Sequence, residues 1–177
     1  MPLIGLYTGA RLQEVCQLLV NEVKDIDGIW IFDINNEGDD KHIKTESSKR
    51  KTPVHSELIR LGLLDFVAEM RKKGDKLFPD ITVSKATGKA GSTFSKRFKT
   101  YRDNCGVIGR GYDFHSFRHT LHSYLRKYGV QDGIIDDITG HKAKTIGGNY
   151  GDRHPQKVQL EALEKVKYPI NIKPKEV

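Results

Sequence analysis

Apolar positions along this chain change their spacing several times, and each change marks a new element. Pro2 to Tyr7 is an apolar stretch with no polar lead-in, and Thr8-Gly9-Ala10 follows it as a turn. Leu12, Val15, Cys16 and Leu19 then recur at the spacing of one helical face, leaving Arg11 and Glu14 off that stripe and one turn apart. From Ile29 to Val54 the period shortens. Ile29-Trp30-Ile31-Phe32 predicts a strand, Asn35 to Gly38 a turn, and His42 to Thr45 plus Lys51 to Val54 two more strands around a Ser-rich tip. A three-stranded antiparallel sheet is the economical arrangement.

Helical spacing returns after Ser56, the predicted cap of a helix that buries Ile59, Leu63, Phe66, Val67 and Met70. Residues 80–93, with Gly88 and Gly91, predict a basic loop before a helix near 93–104. Another helix runs from about Phe114 to Tyr128 and ends at Gly129. Its core face is Phe117, Leu121, Tyr124, Leu125 and Tyr128. His115, His119 and His122 point the other way, with Arg118 near the boundary. A short helix covers about Gln131 to Ile138 before Gly140-His141, and a last one about Pro155 to Lys165 before a Pro-containing tail expected to be loose. The pattern predicts a mostly helical α+β fold around a small three-stranded antiparallel sheet, in one domain over residues 1–177.

Charge adds a partner to this outline. Lys plus Arg total 30 against 23 Asp plus Glu, a formal net charge of +7. The excess is clustered: Lys85, Lys89, Lys96, Arg97, Lys99, Arg102 and Arg110 are accompanied in their stretch by one acid, Asp103. Lys41, Lys44, Lys49, Arg50 and Lys51 are accompanied only by Glu46. Clusters of one sign suit a polyanion, because each neutralised phosphate releases counterion. Nucleic acid is therefore the expected partner. A membrane surface is disfavoured, since no basic helix carries large apolar groups opposite its charges. Cys16 and Cys105 form neither a disulfide framework nor a zinc pattern. With no secretory signal or spanning segment, the expected setting is the cytoplasm of a bacterium or a phage host, in association with DNA.

Four short motifs sharpen the expectation. They are Thr8-Gly9-Ala10-Arg11-Leu12-Gln13-Glu14, the hairpin Lys44 to Pro53, His115-Ser116-Phe117-Arg118, and Gly140-His141 with Tyr150 nine residues on. In that order they resemble the catalytic domain of a tyrosine recombinase of the phage integrase type. The likeness spans residues 3 to 151. Two departures stand out: Thr139 precedes Gly140 where Leu is commoner, and Gly147-Gly148-Asn149 precedes Tyr150. The abrupt apolar start and the resemblance together predict that an upstream core-binding domain is missing from this chain.

The resemblance implies a catalytic set of Arg11, Lys44, His115, Arg118, His141 and Tyr150. Arg11 and Arg118 would grip non-bridging phosphate oxygens, which a planar, permanently charged guanidinium does well. A surface ion pair between Arg11 and Glu14 is the plainer alternative, and both can hold if Glu14 supports an arginine whose other face meets DNA. Lys44 would protonate the leaving 5′ oxygen, His115 would accept the tyrosine proton or orient the phosphate, and His141 would bond a non-bridging oxygen. Tyr150 would be the nucleophile. Metal binding by His115, His119 and His122 is disfavoured because no H-E-x-x-H pattern or carboxylate accompanies them. Lys49, Arg50, Lys51, Lys85, Lys89, Lys96 and Arg97 are expected to touch the DNA backbone, positioning without specifying.

The function implied is site-specific recombination, integrating or excising a phage or prophage genome. It proceeds through a 3′-phosphotyrosyl link, with no cofactor or metal, on duplex attachment sites. A homotetramer is expected on DNA and a monomer in its absence, with Leu160, Leu163 and Val166 as candidate contacts to a neighbour. Type IB topoisomerase-like cleavage and rejoining, and an idle DNA-binding module, are the alternatives.

Overall fold

In the computed structural model the described residues are 1–38, 41–42, 45–84, 88–141 and 153–174. Pro2–Thr8 forms α1, with Pro2 at the start, where its missing N–H is no loss. Gly9 ends it in the left-handed conformation at φ 63°, its N–H bonded to Gly5 O. Leu12–Cys16 forms α2, a shorter helix than the apolar spacing predicts, because Leu19 lies beyond its end.

The expected three-stranded antiparallel sheet is present, with one different member. Among the described residues the strands are β1 Val23–Ile26, β2 Ile29–Ile34 and β3 Arg50–Pro53, in the order β1-β2-β3. β1 pairs with β2 through Val23↔Phe32 and Ile26↔Ile29, and β2 with β3 through Phe32↔Thr52 and Ile34↔Arg50. Val23 to Ile26 reads as Val-Lys-Asp-Ile, too polar and short to signal a strand. A tight Asp27-Gly28 turn with positive φ at both residues folds it against β2. His42 and Thr45, expected in a strand, lie outside any strand here, and residues 43 and 44 between them are not described.

The helix predicted after Ser56 is two helices, α3 Ser56–Arg60 and α4 Leu63–Arg71, separated at the left-handed Gly62. The cap of α3 is His55, whose Nδ1 accepts the Glu57 N–H at 3.0 Å. Then come α5 Gly91–Asn104, α6 Phe114–Lys127, α7 Asp132–Thr139 and α8 Gln156–Glu164. Among the described residues no helix is long and apolar enough to cross a membrane.

Two apolar clusters hold these elements. The first joins α1, α2, the sheet, α3 and α4, and reaches Phe114 of α6. Phe114 also meets Phe94 and Phe98 of α5, ring centres 6.1 and 6.3 Å away, at edge-to-face angles. The second cluster packs Leu121 and Leu125 of α6 against Ile135 and Ile138 of α7 and Leu163 of α8. Leu163 and Val166 are therefore buried within their own domain, not displayed for a neighbour. Nor is the tail loose throughout: Tyr168 Oη donates to Leu6 O at 2.9 Å, and Arg60 Nη2 donates to Ile172 O at 2.8 Å. Tyr128, expected in the core of α6, is 39% exposed, because the helix ends before it and Val130 fills the space instead. Arg118 lies between Phe114 and Leu121 on α6, at the seam of the two clusters.

Candidate active site

The first motif folds as two capped helices meeting at a bend. Thr8 Oγ1 donates to Ile4 O at 2.6 Å and accepts the Ala10 N–H at 3.1 Å, closing the turn. Arg11 is the extended residue before α2. Its N–H donates to Glu14 Oε2 at 2.8 Å, the reach-back half of a capping box, and its Nη1 to Glu14 Oε1 at 2.7 Å. Nη1 also donates to Ser48 Oγ at 2.9 Å. The side chain remains 22% exposed, so the ion pair fixes the arginine without removing it from a ligand's reach.

Arg50 corrects one expectation. Read as a surface contact to DNA, it is instead wholly enclosed, with a side-chain exposure of 0%. The side chain turns inward because β3 pairing with β2 places it on the sheet face that carries Ile34. Its Nε donates to Ile138 O at 2.8 Å, Nη1 to Ser48 O at 2.8 Å and Nη2 to Glu14 Oε2 at 3.0 Å. An ion taken from water costs several kcal/mol, and only such a full set of partners offsets it. Burial alone would raise the Glu14 carboxyl, but Arg50's charge and bond, with those of Arg11, hold it below its ordinary value. Lys41 is likewise spent internally, on Glu22, with 6% of its side chain exposed.

Gly140 exists for this clamp. Its φ is 71°, and a Cβ there would lie 2.8 Å from Arg50 Nη1. The Gly-His motif is thus the place where α7 ends against a buried guanidinium.

Arg118, expected at the boundary of α6, is 2% exposed. Its Nη1 donates to Gly9 O at 2.6 Å, and its Nη2 reaches His141 Nδ1 at 3.1 Å. Nε finds no partner among the described residues. Burial first, and then the charges of Arg11 and Arg50, lower its pKa to about 9, which still leaves a cation at neutral pH. His141 is lowered to about 4 by burial, then by Arg118 and His122, so its ring is neutral. A guanidinium can only donate, so His141 Nδ1 accepts and the proton sits on Nε2. The 3.8 Å approach of Asp136 Oδ1 to that Nδ1 is consequently not an ion pair at neutral pH.

His115 is exposed at the start of α6, its ring 4.7 Å from that of His119. Burial, His119 and Arg118 lower its pKa, which keeps it a proton acceptor. His122 packs at 4.9 Å against the His141 ring, with its Nε2 enclosed and unpartnered among the described residues. His119 and His122 are therefore neighbours of the two proposed catalytic imidazoles. No group of three or more His, Cys, Asp or Glu that could hold a metal occurs among the described residues.

The structure thus brings Arg11, Arg118 and His141 together around Glu14 and Arg50. His115 joins them electrostatically: its ring feels Arg118 and Arg11, and His141 feels His115. Lys44, Tyr150 and Lys85 lie outside the described residues. Lys49, Lys51, Lys89, Lys96 and Arg97 are exposed, as a DNA-facing role requires. Sequence reasoning missed Arg153. Its guanidinium donates to Asp137 O at 2.9 Å and to Ser47 O and Lys49 O, both at 2.8 Å. It lies beyond the last motif, and nothing in its spacing signals a role. Ser48 belongs to the hairpin motif and His122 to the histidine-bearing face of α6, but only the fold shows what they touch.

Helices around a small antiparallel sheet thus bring Arg11, Arg118 and His141 to one cradle with Glu14 and Arg50. The Phage integrase family profile matches residues 1–157, and this chain belongs to that family of tyrosine recombinases. Its fold is similar to that of the integrase from mycobacterium phage Brujita, with a TM-score of 0.62 and 17% identity over 97% of this chain. The chain spans 52% of the length of that integrase. Comparison with curated proteins finds no match.

Proposed function

We propose that this chain cleaves and rejoins duplex DNA at specific sites, as the catalytic part of a phage or prophage integrase. One observation carries the reading: Arg11 and Arg50 both grip the single carboxylate of Glu14, and Arg118 lies near enough to feel the charges of all three. Arg50 is consumed by structure, so the remaining positive charge is available to a phosphate. His141, with its proton on Nε2 and Nδ1 held by Arg118, has a donor for a non-bridging oxygen.

In the proposed step Tyr150 Oη attacks the scissile phosphorus while its proton passes to His115. The bond from phosphorus to the 5′ oxygen breaks, and Lys44 gives that oxygen a proton. A 3′-phosphotyrosyl link and a 5′ hydroxyl result, and a 5′ hydroxyl from a partner strand reverses the step. Bond energy is conserved in the link, so neither ATP nor metal is needed. Catalysis is then positioning plus neutralisation of developing charge. Arg153, three residues after Tyr150, is anchored to the hairpin base.

The test is covalent capture on a labelled, nicked duplex carrying the host element's end sequences, run beside Tyr150→Phe and Arg118→Ala. The expected result is a protease-sensitive protein–DNA band that forms in EDTA and is lost in Tyr150→Phe. Arg118→Ala should slow its formation on the order of a hundredfold. Intact DNA binding with no band, even after an upstream core-binding domain is supplied, would overturn the reading in favour of an idle binding module. Relaxation of plain supercoiled plasmid without strand exchange would replace it with a topoisomerase.

A further inference from the structure

We propose that Thr139 is a positioning residue that keeps the His141 ring in the tautomer whose Nε2–H faces the phosphate. The inference rests on the recombinase reading for the phosphate, but not for the tautomer itself. Thr139 stands where the family more often has leucine, and a leucine has no hydroxyl to offer a ring nitrogen.

Thr139 is the last residue of α7 and has no exposed surface. Its Oγ1 lies 2.7 Å from Ile135 O and 3.2 Å from His141 Nδ1. The β-branched side chain has little choice of rotamer. Its methyl Cγ2 lies so close to Gly9 that a Cβ there would approach it to 2.9 Å. With the methyl wedged against the Thr8-Gly9 turn, the hydroxyl is directed at Ile135 O and His141 alike. The hydroxyl hydrogen rotates at little cost and can serve either acceptor.

In the structure Arg118 Nη2 already donates to His141 Nδ1, so the Thr139 hydrogen is left for Ile135 O. A bound phosphate changes this competition. An ionised oxygen is a much stronger acceptor than a neutral imidazole nitrogen, and Arg118 Nη2 turns toward it. His141 Nδ1 then loses its donor, and the ring could move its proton from Nε2 to Nδ1 just when the phosphate needs the Nε2–H. Thr139 Oγ1 would favour the Nδ1–H tautomer if it kept Ile135 O and accepted from the ring. Its hydrogen must therefore turn from Ile135 O to Nδ1, which holds the proton on Nε2. His122, its ring centre 4.9 Å from that of His141 and steeply inclined to it, restrains its tilt meanwhile.

The test separates this role from packing. Nitrogen NMR of uniformly 15N-labelled protein reports the tautomer, with His141 assigned by loss of its signals in His141→Asn. Arg118→Met removes the first donor and should leave a single Nε2–H tautomer, held by Thr139. Arg118→Met with Thr139→Val, nearly isosteric at position 139, should show both tautomers. A single Nε2–H tautomer in the double variant would overturn the proposal. On cleavable DNA, Thr139→Val alone should lower kcat about three- to tenfold with KM unchanged, the loss of one neutral hydrogen bond, and Thr139→Ser should recover most of it. Parental kcat in Thr139→Val would overturn the proposal even if the double variant failed to fold. A tautomer shift in a protein that never cleaves would uphold the assignment and count against the recombinase reading instead.

Discussion

At the scale of residues, two basic side chains that adjoin in sequence have opposite fates. Arg50 is enclosed among Glu14, Ser48 and Ile138, while Lys51 faces solvent. Arg50→Met should therefore cost about 3–5 kcal/mol in a urea melt, because it leaves a buried carboxylate short of a partner. Lys51→Ala should stay within about 0.5 kcal/mol and weaken only salt-sensitive DNA binding. Equal losses from the two would contradict the clamp. The depressed imidazoles set a pH dependence as well. His122 and His141 sit near 4 in the fold against an ordinary 6.5. Between those limits the unfolded chain binds protons that the native state refuses, so stability rises with pH through the window. It is complete above 6.5 and is lost as pH falls toward 4. His55, lowered chiefly by burial, adds to the same slope. Glu14, with its pKa depressed, contributes stability present above 4.5 and lost on further acidification. Urea midpoints should fall between pH of about 6.5 and about 4, and His122→Phe should flatten that fall. A flat profile in the parent would mean that the His122 ring is not enclosed in solution.

At the scale of elements, the site is the meeting of four chain segments that sequence keeps far apart. The bend between α1 and α2 supplies Arg11 and Glu14. The start of β3 supplies Arg50, α6 supplies Arg118, and the end of α7 supplies Thr139 and His141. Arg50 bonds across to Ile138 O, and Arg153 ties the hairpin base to Asp137 O. Gly140→Ala tests this joint. A Cβ there meets Arg50 Nη1 at 2.8 Å in a backbone conformation that side chains rarely adopt. The variant should lose more than about 1 kcal/mol of stability by denaturant melting and lose cleavage with it. Wild-type behaviour would show that the turn relaxes without disturbing the clamp. Short motifs were legible because their spacing is local: His115 and Arg118 share a helix at one-turn separation whatever surrounds it. β1 was not legible, because Val23-Lys24-Asp25-Ile26 becomes a strand only when β2 lies beside it.

At the scale of the molecule, charge outlines a working face but overstates it. Lys41 and Arg50 belong to the interior, while Lys99 and Arg102 both engage Asp103. What remains exposed includes Lys96 and Arg97 on α5. If both neutralise phosphates, replacing the pair by alanine should reduce the slope of log affinity against log salt by about 2. An unchanged slope would place the DNA elsewhere.

By itself the sequence determined the mostly helical class, the presence of a small antiparallel sheet, the family, and which residue types could serve a phosphoryl-transfer site. These come from periodicities and motifs carried within a few residues of chain. Only the tertiary structure decided that Arg50 is a buried clamp, that Leu163 and Val166 fold back on their own domain, and that Thr139 reaches His141. Each outcome depends on which partner from a distant segment encloses a side chain, and enclosure is what turns a solvated charge or hydroxyl into a structural one.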